Sequence, residues 1–134
     1  MVKGKWASWV LMASLVCAVV PIVAQQAAPQ QAPDSATVAA GKQLFEGRGL
    51  CYSCHGVNGE GLLGPTTRLD GGKAWLHHDG SLAGIAALIK TGVDGDKSKS
   101  GNIMPPLGGA RLSDQQVEQV AAYIWTLHRR KPAS

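Results

Sequence analysis

At 134 residues the chain holds one domain rather than two. Its formal net charge is +4, and setting aside Lys3 and Lys5 of the N-terminal segment leaves 11 basic against 9 acidic groups, or +2. No basic block interleaved with aromatics appears, so charge gives no reason to expect a nucleic-acid partner. Aromatic residues make up only 5% of the chain, and Trp6 and Trp9 belong to that same N-terminal segment; a domain of about 100 residues with so little apolar bulk is marginal by itself.

Residues 1–24 read as an export signal. Lys3 and Lys5 form a charged start, Trp6 to Ala24 is apolar, and Ala24 offers a small residue for cleavage before Gln25. The apolar run is also just long enough to span a bilayer, so an uncleaved membrane anchor is the competing reading. Cys17 follows Val16, where a lipid-attachment signal would want a small residue, and is read as a plain apolar cysteine. Residues 25–34 (QQAAPQQAPD) are an Ala/Gln/Pro linker without hydrophobic period.

Asp34 or Ser35 can cap a first helix, with Val38, Gly41, Leu44 and Phe45 on one face. Gly41 inside a helix costs about 1 kcal/mol relative to Ala, and close approach by another helix would explain it. Gly47 and Gly49 end the element, and Cys51-Tyr52-Ser53-Cys54-His55 follows. Two thiols three apart lie on one side of a helical turn and can reach two neighbouring vinyl groups of a porphyrin; the next side chain, His55, can then place an imidazole nitrogen on the iron. This is the attachment signature of a c-type haem. A zinc site would need further ligands at zinc-like spacing, and His77, His78 and His128 do not supply them. A thioredoxin-like pair would want a βαβ setting, which has no strand pattern here. A lone disulfide is the weaker remaining reading. A buried haem would also supply the missing apolar mass.

Residues 56–74 are a glycine-rich loop. A backbone carbonyl near Pro65 is one candidate acceptor for the free N–H of His55; an ordinary Gly-Pro turn is the other reading. Trp75 is a candidate to wall the haem or to hydrogen-bond a propionate. His77 and His78 are read as surface or propionate-edge residues, with a sixth-ligand role as the alternative. Ser81 opens a helix through Thr91, closed by Gly92. Residues 93–102 form a polar loop in which Asp94 and Asp96 lack the further ligands of a calcium site, and Lys97 and Lys99 are candidates for a docking rim. Met104 stands before Pro105-Pro106, off any helix stripe, in a stiffened backbone that suits a sulfur held over an iron; a gap-filling core Met is the alternative. The other methionines, Met1 and Met12, lie in the export segment. The last helix begins with a capping box, Ser113 with Gln116, and carries Val117, Val120, Ala121, Ile124, Leu127 and His128 in a stripe, with Pro132 after its end.

From roughly Ala36 to Arg130 the chain resembles a class I c-type cytochrome with one haem. CYSCH carries most of the resemblance. Gly41 and Phe45 match the family's N-terminal helix, Val120 and Tyr123 its C-terminal helix, Pro65 its proximal loop, and Met104-Pro105 its distal ligand. The resemblance implies an all-α fold over residues 35–131, three to four helices wrapped around one haem c. It makes Cys51 and Cys54 the thioethers, His55 the proximal ligand and Met104 the distal one, and has the two terminal helices cross at Gly41. Haem attachment after export follows from it as well. The Trp75-Leu76-His77-His78 stretch departs from the general pattern, which leaves the cover of the propionate edge and a bis-histidine state open. The function implied is one-electron transfer by a low-spin haem, a periplasmic carrier rather than an enzyme. Redox proteins would dock transiently at the haem edge, and membrane contact would occur only through an uncleaved N-terminal segment. Two alternatives are a haem subunit tethered to a periplasmic dehydrogenase or terminal oxidase, and a haem sensor with a dissociable Met104.

Overall fold

The computed structural model describes Met1 and residues 31–71, 74–99 and 101–130. The expected signal or anchor beyond Met1, linker residues 25–30, Lys131 and Pro132 lie outside the described residues. Among the described residues no helix is long and apolar enough to cross a membrane. The elements are α1 (Ser35–Glu46), α2 (Tyr52–His55), a 3-10 turn (Pro65–Thr67), α3 (Leu82–Thr91), a second tight turn (Pro106–Gly109) and α4 (Asp114–Arg129). The fold is the expected all-α one; among the described residues extended pairing is limited to an isolated bridge between Val93 and Met104.

Each long helix starts where its sequence supplies an acceptor for the unpaired N–H groups of the first turn. Asp34 accepts from the Thr37 N–H at 2.9 Å and from its hydroxyl at 2.7 Å. The Ser81 hydroxyl accepts from the Gly84 N–H at 2.9 Å. At α4 the Ser113 hydroxyl accepts from the Gln116 N–H at 3.3 Å, while the Gln116 side chain accepts from the Ser113 N–H at 3.0 Å. Replacing Ser113 by Ala removes one half of that box, and a loss of about 1 kcal/mol is expected. In thermal unfolding this should lower the midpoint by about 4–8 °C; an unchanged midpoint would show that α4 is held by packing alone.

α4 is the spine. Val117, Val120, Ala121, Tyr123, Ile124 and Leu127 are all buried. Against it lie Phe45 of α1 and Ile85 and Ile89 of α3. α1 crosses α4 at Gly41. A β-carbon there would overlap the Gln119 carbonyl oxygen and come to 3.0 Å from the Tyr123 β-carbon. The Phe45 and Tyr123 rings meet edge to face at 5.2 Å. The Lys90–Asp114 pair at 2.7 Å links α3 to α4, but both side chains are solvent-exposed, so it contributes little. α3 ends at Gly92, whose φ of 68° is the left-handed conformation that suits glycine. The following loop carries Lys97 paired with Asp94 at 3.4 Å, both exposed.

Candidate functional site

α1 delivers the chain to the Cys-His turn through Leu50, whose φ of 54° is left-handed for a branched side chain. Such a residue costs on the order of 1–3 kcal/mol and persists only where its surroundings hold it. The Cys51 carbonyl then accepts from the N–H groups of Cys54 at 3.3 Å and His55 at 3.0 Å, which winds α2. Both thiols are free of any disulfide. Cys51 donates to the Gly49 carbonyl at 3.4 Å. Burial pushes its thiol up to about 11, so it stays protonated at neutral pH.

The His55 Nδ1 lies 2.7 Å from the Thr67 carbonyl oxygen. A carbonyl only accepts, so Nδ1 carries the proton and Nε2 keeps its lone pair for a metal. Burial pushes the imidazole below its ordinary 6.5, against a smaller opposing effect of the Thr67 bond, which favours the neutral ligating form. The acceptor sits two residues beyond Pro65, in a turn braced by the Thr67 hydroxyl on the Gly64 carbonyl at 2.9 Å. Phe45 lies behind His55, with ring centroids 6.4 Å apart.

Met104 faces the same cleft as Cys51, Cys54 and His55. Its backbone is fixed by two bonds: its carbonyl accepts from the Val93 N–H at 2.7 Å, and its own N–H donates to the Val93 carbonyl at 3.0 Å. Gly92 makes this possible, since a β-carbon there would overlap the Met104 carbonyl oxygen. Beyond it, Pro105 accepts from the Gly108 N–H at 2.9 Å. Leu107 takes a left-handed φ of 57°, so a second strained leucine flanks the site.

Trp75, His77 and His78 also line the cleft, and so does His128 of α4. Trp75 meets two histidine rings: His128 stacks on it at 3.8 Å between centroids with 27° between planes, and His78 approaches at 4.4 Å, tilted by 40°. His128 is tied to the Leu69 backbone. His78 Nδ1 accepts from the Gly80 N–H at 3.0 Å, so His78 is engaged with its own loop. The sequence placed His128 only on the α4 stripe. Its stacking on Trp75 joins residues 53 positions apart and has no local signal.

Burial pushes both His78 and His128 below 6.5. A group whose proton affinity is lower folded than unfolded contributes stability that is complete above its unfolded pKa and is lost as pH falls through its folded one. The melting temperature should therefore fall with acidification below pH 6.5. His78→Asn keeps an acceptor for the Gly80 N–H but cannot titrate, and should flatten that fall; an unchanged slope would remove His78 from the account.

The cleft encloses about 380 Å³. Ile85, Leu88, Ile89 and Ile124 give it an apolar wall, and Arg68 and Asp70 pair at its edge through bonds of 2.9 and 3.0 Å. This donor set fits haem c: two unpaired thiols on one helical turn, an imidazole whose Nδ1 is held by a carbonyl so that Nε2 keeps its lone pair, a methionine lining the same cleft, and apolar walls to receive a porphyrin.

The family model for Cytochrome c matches residues 38–128. No curated protein and no solved structure gives a significant match to the chain. The matched span runs from α1 to the last turn of α4 and takes in the Cys-His turn and the methionine loop, so the chain belongs to the cytochrome c family, binds haem c covalently and serves haem-based electron transfer.

Proposed function

We propose that the protein is an exported, periplasmic one-electron carrier in which His55 and Met104 are the two axial ligands. The observation that carries the reading is the placement of Met104: its sulfur-bearing side chain lines the cleft, and its main chain is clamped to Val93 on both its N–H and its carbonyl. The bound haem supplies an iron that gains and loses one electron. The chain's residues determine how easily that happens. The Thr67 carbonyl orients His55, a sulfur ligand favours the reduced state, and the apolar wall excludes water and disfavours the extra charge of the oxidised state. With His55 and Met104 both holding the iron, no coordination site would be left for a substrate. Partners exchange electrons at the edge near Cys51 and Cys54, through contacts weak enough to turn over. Export is read from residues 1–24, and the periplasm from the need to attach haem after crossing the membrane.

The test is a visible spectrum with redox titration of the matured protein, followed by carbon monoxide addition to the reduced form at neutral pH. Low-spin bands, a one-electron wave and no prompt carbon monoxide binding are expected. Prompt binding would mean an open iron and a sensor or enzyme instead. The mass of the mature chain reports on export: an N-terminus at Gln25 marks cleavage, whereas retention of Lys3 marks an anchor.

A further inference from the structure

We infer that Asn102 is a positioning residue that ties the loop bearing the distal ligand to the loop orienting the proximal one, and so sets how readily the Met104 sulfur leaves the iron. This rests on the reading of Met104 as an axial ligand. Asn102 stands two residues before Met104. Its side-chain NH2 lies 3.2 Å from the Thr66 hydroxyl oxygen and 3.4 Å from the Leu63 carbonyl oxygen, across 36 and 39 residues of chain. Thr66 directly precedes Thr67, whose carbonyl accepts from His55 Nδ1. One side chain thus joins the loop that carries Met104 to the loop that orients His55.

Among the described residues, a second restraint on the methionine loop lies on its other side. Val93 holds the Met104 backbone from the end of α3. Ile103, between Asn102 and Met104, is 68% exposed and adds little burial to hold the loop down. A loop fixed at the Val93 bridge can still swing about it at its Asn102 end. The bonds to Thr66 and Leu63 oppose that swing. They are exposed and of moderate length, so their loss should loosen the loop without unfolding the domain.

An external ligand that binds only after the sulfur has left reports this directly, because its apparent affinity scales with the open fraction. Ferric holoprotein is titrated with imidazole. In this exchange an iron–sulfur bond breaks and an iron–nitrogen bond forms, with no change of oxidation state. Asn102→Ala should bind imidazole about tenfold more tightly than wild type and Thr66→Val about threefold, from the usual strength of such hydrogen bonds. The double variant should bind no more tightly than Asn102→Ala alone, because the two residues share one interaction. Asn102→Gln, which keeps the donor, should recover part of the wild-type affinity. Without imidazole, all variants should keep the red absorption band of sulfur ligation. A purely structural role would lower the melting temperature and leave imidazole affinity where it was. Unchanged affinity in Asn102→Ala, or additive effects of the two single changes, overturns the inference while the Met104 reading stands. A wild-type protein without the red band overturns that reading, and this inference with it.

Discussion

Met104→Ala should abolish the weak red band of the oxidised protein, open the iron to carbon monoxide in the reduced protein, and lower the midpoint potential. The expected fall is on the order of 0.1–0.3 V, part of the roughly 0.8 V that axial ligation spans across haem proteins. The prediction is clean because the chain has only three methionines, and Met1 and Met12 lie outside the span 38–128 that matches the family. Folding should survive the change. The bonds to Val93 are made by the Met104 backbone, and alanine makes them equally well. Met104→His should restore two protein ligands without the sulfur band and with a lower potential, since imidazole stabilises the reduced iron less than a thioether does. A red band persisting in Met104→Ala would show that the sulfur comes from elsewhere and that the distal assignment is wrong.

Gly41→Ala should be the most damaging conservative change in the scaffold. Helix propensity alone predicts a gain of about 1 kcal/mol. The added β-carbon would instead overlap the Gln119 carbonyl oxygen, a backbone atom inside α4 that cannot rotate away. Relief requires α1 and α4 to separate, which loosens Phe45 and Tyr123, both almost completely buried. Overpacking of this kind costs about 1–3 kcal/mol and occasionally more, so a net loss of about 2 kcal/mol is expected despite the propensity gain. Urea unfolding of the holoprotein measures it as a lower midpoint at unchanged slope. Stability equal to or above wild type would show that the crossing tolerates a wider separation than its geometry suggests.

The comparison of sequence and structure divides along one physical line. What depends on neighbours in the chain was readable. The caps at Asp34, Ser81 and Ser113, the close of α3 at Gly92 and the paired thiols of the Cys-His turn are local, and each residue type there has one dominant reason to be present. Gly41 was half readable: its cost in a helix pointed to a close approach, whereas the atom approached, Gln119 O, could be learned only in three dimensions. What depends on backbone acceptors or distant pairs was hidden. The oxygen that orients His55 belongs to Thr67, and a carbonyl leaves no mark on the side-chain alphabet; Pro65 only marked the neighbourhood. The Val93–Met104 bridge, the His128 stack on Trp75 and the Asn102 link to Thr66 each join segments that no periodicity connects.

The crossing of α1 with α4 has a consequence for how the molecule is made. Gly41 and Phe45 find their partners at Gln119 and Tyr123, close to the opposite end of the domain. During synthesis, the first helix to emerge has nothing to dock against until nearly the last turn is available, and contacts so far apart along the chain form slowly. A nascent chain that stops before α4 leaves Phe45 uncovered and the ring behind His55 without its backing. The apolar wall that receives the haem is therefore complete only once the final helix, which contributes Ile124, has docked.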